Sequence, residues 1–187
     1  VGISLIAGYW QYKILLELSE AIDASRHRPK HYILGGYGPA PEPEYFLRKT
    51  NADIVVIGEG EDTIRELFSV LEGGKDLSTI NGIAYRDGDT IRIAPERELI
   101  PEECLNDLNR VPMPAYDLFE MNVYRLMRTP SCSTVHFVQP MLSGRGCPFK
   151  CNFCYRMDKG HRERDISSML EEIDYLMTDF GINYFLF

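Results

Sequence analysis

The chain has 187 residues, enough for one ample domain or two small ones, and its 44% hydrophobic and 26% charged residues are ordinary for a soluble globular protein. A formal net charge of −8 without a basic run, and the lack of an apolar stretch near the roughly 20 residues that span a bilayer, argue against nucleic acid and membrane as partners. Three of the five cysteines lie within eight positions, which indicates metal-binding thiolates in a reducing compartment rather than a secreted disulfide framework.

Short apolar runs alternate with helical patterns over the first 75 residues. Three runs that end in glycine are typical of buried parallel strands: residues 1–7, 32–34 and 53–57. Apolar spacing, or a proline near the start, predicts three helices: residues 10–28, 43–50 and 64–71. Strand–helix repeats of this length predict an α/β fold, with a doubly wound parallel sheet and crossover helices.

The pattern changes after residue 75. Residues 82–86 and 90–94 flank Asp87-Gly88-Asp89 and predict a β-hairpin. Residues 95–130 contain several prolines and no sustained period, which predicts a linker with short helical pieces.

A second strand–helix–strand unit is predicted to open near residue 135. Its parts are a strand over residues 137–142, a cysteine-containing loop, a helix over 165–180 and a strand over 184–187. We therefore predict three segments: residues 1–75, 76–130 and 131–187. Because both chain ends fall inside predicted strands, we also expect the chain to be a segment of a longer protein and inactive by itself.

The chemistry is concentrated in residues 144–154, GRGCPFKCNFC, directly after a predicted strand. Cys147, Cys151 and Cys154 have the spacing C-x3-C-x2-C, so their thiolates can converge on one metal centre while the glycines let the backbone pass close to it. Three protein ligands leave one coordination position open, which is where a substrate or cofactor binds.

A structural zinc site is the alternative for these cysteines, with His161 as the fourth ligand. Cys104 and Cys132 have no cysteine at a metal-binding spacing, so they are interpreted as small apolar side chains. Arg162 and Arg164 follow the cysteine loop, and a solvated start of the next helix explains them as well as a functional role does.

The cysteine motif, with the aromatic Phe153 before its last cysteine, resembles the signature of the radical S-adenosylmethionine (SAM) superfamily. The resemblance implies that Cys147, Cys151 and Cys154 hold a [4Fe–4S] cluster whose fourth iron binds SAM, and that Phe153 lies near the adenine. It further implies that one electron cleaves SAM to a 5′-deoxyadenosyl radical.

The N-terminal half, with VGIS, YILGG and DIVVIGEGE, resembles the cobalamin-binding class of this superfamily. Taken alone, these glycines also fit ordinary turns, and acidic residues at a helix start offset the helix dipole. Glycines at the carboxyl ends of neighbouring parallel strands nevertheless form the crevice where nucleotide-like ligands lie. The resemblance implies a slot for the nucleotide tail of cobalamin, lined by Ser4, Gly35, Gly36, Gly58, Glu59 and Gly60.

The resemblance implies a Rossmann-like cobalamin domain in residues 1–75, followed by the start of a partial (βα) radical SAM barrel in 131–187. It also implies methyl transfer, rearrangement or cyclisation at an unactivated carbon of a small-molecule substrate. The resemblance also implies an electron donor such as flavodoxin or ferredoxin. It implies a cytoplasmic location, where an oxygen-labile cluster is protected.

Two other functions stay open. A methylthiotransferase-type radical SAM protein would carry further cluster cysteines, which residues 1–103 lack. A non-catalytic, zinc-stabilised ligand-binding module would use the three cysteines with His161.

Overall fold

The computed structural model describes residues 1–6, 8–126, 132–133, 135–154 and 160–187. The chain divides into two compact units, Val1–Leu99 and Ile100–Phe187. The predicted segment boundaries at residues 75 and 130 stay predictions. Within the described ranges, no helix is both long and apolar enough to cross a bilayer.

Among the described residues, the first unit contains a five-stranded sheet and three α-helices. The strands lie in chain order across the sheet: β1 Gly2–Ser4, β2 Ile33–Gly35, β3 Ile54–Val56, β4 Ile83–Asp87 and β5 Thr90–Ile93. The helices are α1 Tyr9–Ala24, α2 Pro43–Thr50 and α3 Gly60–Gly73. β1, β2 and β3 run parallel, as predicted, while β4 and β5 are antiparallel.

Both faces of the sheet are covered, which explains why β3 is apolar at every position. Val55 packs with Leu15 of α1 and Leu47 of α2 in one buried cluster. Ile54 and Val56, whose side chains point to the opposite face, pack with Leu67 of α3 in a second cluster. Helices on both sides of a largely parallel sheet confirm the α/β fold class.

The β4–β5 hairpin forms where the sequence predicts it, but it joins the sheet. β4 pairs antiparallel with β3, with Ile54 opposite Tyr85. Ile83 and Tyr85 enter the cluster that contains Ile54, whereas Ala84 enters the other cluster. The hairpin therefore completes the sheet of the first unit rather than standing apart as a connection.

The second unit contains the predicted strand–helix–strand motif. β6 (Val138–Pro140) and β9 (Tyr184–Leu186) pair in parallel, and α5 (Ile166–Phe180) lies between them in the chain. Their core consists of five buried residues: Tyr116, Phe137, Met141, Leu176 and Ile182. A short helix, α4 (Met121–Tyr124), and 3₁₀ turns at Glu102–Cys104 and Tyr116–Leu118 precede the motif.

The segment predicted as a plain loop contains an antiparallel hairpin. β7 (Gly144–Cys147) pairs with β8 (Gly160–Glu163), and the register places Cys147 opposite Gly160. The sequence of β7, Gly-Arg-Gly-Cys, has neither β-branched residues nor apolar alternation, so no local pattern predicts this strand. The cysteine motif is therefore presented on a hairpin.

Candidate functional site

The three motif cysteines lie at the end of β7 and on the connection that follows it. Cys147 is the last residue of β7 and is half-buried, whereas Cys151 and Cys154 are exposed. The backbone N–H of Cys154 donates to the carbonyl of Cys151 at 3.3 Å, which turns the chain tightly between these two residues. All three are thiols rather than disulfides.

The described residues hold no group of three His, Cys, Asp or Glu side chains in a metal-binding arrangement. The three thiols therefore share one short loop without converging on a point. Their chemistry still fits an iron–sulfur cluster, because Cys thiolates are its usual ligands and no carboxylate lies between them in the loop. Residues 151–154 are exposed, so the thiols of Cys151 and Cys154 are accessible to iron and sulfide.

Phe153 and His161 lie near the cysteines in the chain. The Phe153 side chain is 93% exposed, so its ring is available for a ligand, and its predicted contact with adenine stays a prediction. His161 lies on β8 opposite Gly146, and its Nδ1 is 3.4 Å from Oε1 of Glu163. The structure does not bring His161 together with the three thiols as a zinc ligand set.

A buried charge network lies at the base of the hairpin, and the sequence analysis missed it. Glu172 of α5 is only 2% exposed. Its Oε1 accepts a hydrogen bond of 2.6 Å from the Tyr116 hydroxyl, and its Oε2 lies 2.6 Å from Nη1 of Arg164. Burial, followed by the hydrogen bond to Glu172, raises the pKa of Tyr116 far above its ordinary value. Arg164 is thus the partly buried partner of a buried carboxylate rather than a solvated residue.

The segment before the hairpin also contacts β8 and its end. Nη1 of Arg162 donates to the carbonyl of Ile100 at 2.6 Å, and the N–H of Glu163 donates to Oε1 of Glu102 at 3.1 Å. The N–H of Asp165 donates to the side chain of Asn106 at 3.0 Å. Residues 100–106 therefore lie alongside β8 and the residues that follow it.

The predicted cobalamin residues lie at one edge of the first unit. Ser4 ends β1 and Gly35 ends β2, and the two are partners in the parallel ladder. Gly58 follows β3 in a left-handed conformation with φ of 79°, Glu59 is the N-cap of α3, and Gly60 is its first residue. The sheet thus brings the predicted residues to the carboxyl ends of three neighbouring parallel strands, where open α/β sheets bind ligands.

The glycines at this edge have different structural roles. A Cβ on Gly36 would lie 2.6 Å from the backbone oxygen of Leu5, so glycine is needed there for packing within the protein. For Gly35 and Gly60 the nearest atoms to such a Cβ belong to Val56, at 3.7 and 3.9 Å, and for Gly58 nothing lies within 4 Å. Gly35, Gly58 and Gly60 therefore leave space at the edge that a ligand can use.

The remaining two cysteines are half-buried. Sγ of Cys104 accepts a hydrogen bond from Nη1 of Arg110 at 3.3 Å, so this thiol has a polar neighbour and is not packed as a purely apolar side chain. Cys132 stays interpreted as a small apolar side chain.

No protein-family model matches the chain. Among curated proteins, it is 32% identical over 154 residues to the uncharacterized methyltransferase PH0819 of Pyrococcus horikoshii, covering 80% of this chain and 31% of that protein. It is 29% identical over 156 residues to the anaerobic magnesium-protoporphyrin IX monomethyl ester cyclase of Synechocystis, covering 82% and 29%. Cytidylyl-2-hydroxyethylphosphonate methyltransferase of Streptomyces wedmorensis is also 29% identical, over 173 residues, covering 81% and 32%. The chain spans less than a third of the length of these relatives.

Solved structures of two enzymes share the fold. The radical SAM methyltransferase TsrM from Kitasatospora setae, with cobalamin and a [4Fe–4S] cluster bound, superposes with a TM-score of 0.63 at 20% identity, covering 97% of this chain and 35% of that one. The cobalamin-dependent SAM radical enzyme OxsB, with aqua-cobalamin and SAM bound, superposes with a TM-score of 0.71 at 22% identity, covering 97% and 24%. These neighbours confirm the fold class predicted from the sequence.

Proposed function

We propose that this chain, a relative of cobalamin-dependent radical SAM enzymes, provides the cluster-binding cysteines and part of the cobalamin-binding sheet of such an enzyme. The proposed reaction is methyl transfer, rearrangement or cyclisation at an unactivated carbon of a small molecule. A cluster with bound SAM supplies a 5′-deoxyadenosyl radical on one-electron reduction, and a bound cobalamin supplies or accepts a methyl group. The electron donor we propose is a flavodoxin or ferredoxin in a reducing cytoplasm.

The observation that carries the proposal is the position of the cysteine motif in the second unit. The hairpin with Cys147, Cys151 and Cys154 follows β6, the first strand of the parallel β6–α5–β9 motif. Barrel folds of β/α units gather their functional residues at the carboxyl ends of the strands. The position of the motif after β6 therefore supports a role in binding reactive groups.

In this proposal the residues of the chain bind and orient. Cys147, Cys151 and Cys154 would hold the cluster as thiolates, and their number would leave its fourth iron for SAM. The exposed ring of Phe153 would cover the adenine.

The edge at the ends of β1, β2 and β3 would hold the nucleotide tail of cobalamin. Gly35, Gly58 and Gly60 leave room there, and the exposed Ser4 offers a hydroxyl beside Gly35. Gly36 keeps the turn after β2 close to Leu5, and its contact with the nucleotide tail stays part of the proposal.

The first experiment is the content of iron, sulfide, zinc and cobalt in the chain after anaerobic reconstitution with iron, sulfide and hydroxocobalamin. We expect a brown protein with about four irons, as one cubane cluster contains. Stoichiometric zinc without iron would contradict the proposal and favour the zinc-stabilised binding module instead.

Methylthio transfer is a second candidate, because the chain is 29% identical over 164 residues to the putative methylthiotransferase MJ0865 of Methanocaldococcus jannaschii. A methylthiotransferase-type radical SAM protein would carry further cluster cysteines in its N-terminal half, whereas residues 1–103 of this chain contain no cysteine. Iron near one cluster per chain, together with bound cobalamin, would support the first proposal over this one.

A further inference from the structure

The β7–β8 hairpin has little support of its own. Its ladder consists of four residue pairs, and among the described residues its two strands pair with each other and with no third strand. An isolated two-stranded hairpin is at best marginally stable in water. The position of the cysteines must therefore depend on contacts outside the ladder, namely those of residues 100–106 with β8 and those at the base of the hairpin.

Arg164 connects the two ends of the hairpin through both its side chain and its backbone. Its Nη1 donates to the carbonyl of Leu142 at 3.1 Å, and its backbone N–H donates to the carbonyl of Ser143 at 2.9 Å. Leu142 and Ser143 directly precede β7, while Arg164 directly follows β8. The guanidinium thus closes the base of the hairpin across the two chain segments.

Glu172 holds this guanidinium on the helix. It pairs with Nη1 of Arg164 at 2.6 Å, and Nη2 of Arg164 donates to Oγ of Ser168 one turn earlier at 3.3 Å. The hydroxyl of Tyr116 donates a hydrogen bond of 2.6 Å to the other carboxylate oxygen of Glu172. Glu172 is buried and Arg164 is partly buried, so removing Arg164 would leave the carboxylate buried without its charged partner.

We propose that Glu172, acting through Arg164, is a positioning residue for the three motif cysteines. It fixes the base of the β7–β8 hairpin to α5 and so sets where Cys147, Cys151 and Cys154 meet the cluster. This role rests on the proposed cluster-binding function. It differs from a purely structural ion pair because it acts on the environment of the cluster as well as on the stability of the fold.

The test compares Glu172→Gln and Arg164→Lys with the unchanged chain. Glu66→Gln is the matched control, since it breaks the ion pair of Glu66 with Arg97 in the first unit. Each protein is reconstituted anaerobically, and we measure iron content, thermal unfolding, and the electron paramagnetic resonance spectrum of the reduced cluster with and without SAM.

We expect Glu172→Gln to fold, to bind iron at most about tenfold more weakly, and to lose the spectral change caused by SAM. About tenfold is the lower end of the loss for a direct partner of a metal ligand, and Glu172 acts one step further away, through Arg164. Arg164→Lys keeps a positive charge beside Glu172 but replaces Nη1 and Nη2 with a single nitrogen, so it cannot keep the contacts with Leu142 and Ser168 as well. It should therefore fold, while the spectrum stays altered. Glu66→Gln should match the unchanged chain.

Wild-type spectra and iron affinity in Glu172→Gln and Arg164→Lys would overturn the inference, even if both melt at lower temperature. If Glu172→Gln does not fold, the same measurements are made on Tyr116→Phe, which removes one hydrogen bond to Glu172 and no charge. An altered cluster spectrum in Tyr116→Phe would support the inference, and an unchanged spectrum would overturn it. An unchanged chain that takes up no iron would instead contradict the proposed function, and the inference with it.

Discussion

Gly36 lies so close to Leu5 that a Cβ on the glycine would be 2.6 Å from the leucine carbonyl oxygen. Gly36 also has φ of 91°, a conformation that side chains disfavour. The turn after β2 therefore closes against the end of β1 through a glycine that the fold itself requires. Its neighbour Gly35 has no such constraint, although the sequence presents the two as equivalent.

We expect Gly36→Ala to lower the free energy of unfolding by about 1–3 kcal/mol, the usual cost of a strained backbone conformation. Gly35→Ala should change it by no more than about 1 kcal/mol, because the nearest contact of its Cβ, with Val56, is an ordinary 3.7 Å. Chemical denaturation followed by circular dichroism measures both. Equal losses in the two variants would contradict the distinction between them.

Gly35→Leu should prevent cobalamin binding, because its side chain would fill the space beside Val56 at the edge of the sheet. The measurement is a titration of the chain with hydroxocobalamin, followed by the absorption change of the corrinoid. Gly35→Ala is the control for folding at the same position. It should still bind hydroxocobalamin, with weaker affinity than the unchanged chain. Unaltered binding by Gly35→Leu would place the corrinoid elsewhere.

Cys151→Ala should abolish iron incorporation, because two remaining thiolates cannot hold a cubane cluster. Cys104→Ala should leave the iron content unchanged, since Cys104 lies outside the motif and contacts Arg110. Iron and acid-labile sulfide are measured after parallel anaerobic reconstitutions. The assignment of the ligands would be wrong if both variants retained the same iron.

We expect the contribution of Tyr116 to the stability of the fold to decrease in strong alkali. Its pKa is raised in the folded state from an ordinary value of 10.0, so the unfolded state releases the proton first as pH rises. The contribution of Tyr116 is therefore complete below about pH 10 and decreases above it.

The measurement is the difference in free energy of unfolding between the unchanged chain and Tyr116→Phe from pH 8 to pH 11. We expect this difference to be constant up to about pH 10 and to shrink above it. Tyr124→Phe serves as the control, because Tyr124 is exposed. A stability difference that grows with pH in alkali would contradict the predicted decrease.

The sequence predicted those elements that local patterns determine. α2 occupies Pro43–Thr50, as predicted, because proline begins it and Asn51 ends it in a left-handed conformation with φ of 50°. β1 and β3 are shorter than the apolar runs that predicted them, and β2 is shifted by one residue from its run at 32–34.

What the sequence could not predict depends on contacts between distant segments. Glu171 and Glu172 are adjacent and chemically identical, but helical spacing places Glu172 on the face of Met169 and Leu176, while Glu171 is exposed. The partner that satisfies the buried carboxylate, Tyr116, comes from a distant segment that no local pattern identifies. In the same way, the Gly-Arg-Gly-Cys strand β7 exists because β8 pairs with it. The cysteine ligands were recognisable from their spacing, whereas the residues that hold their hairpin were not.

The antiparallel attachment of β4 to β3 has an evolutionary consequence. The turn of this hairpin, at Gly88, lies at the far end of the β4–β5 pair from Ile83, where β4 meets the end of β3. Insertions at the turn would lengthen the hairpin without moving the glycine edge of β1, β2 and β3, because exposed loop tips tolerate such changes. We therefore expect homologous chains to vary in length there while the neighbouring crevice keeps its shape.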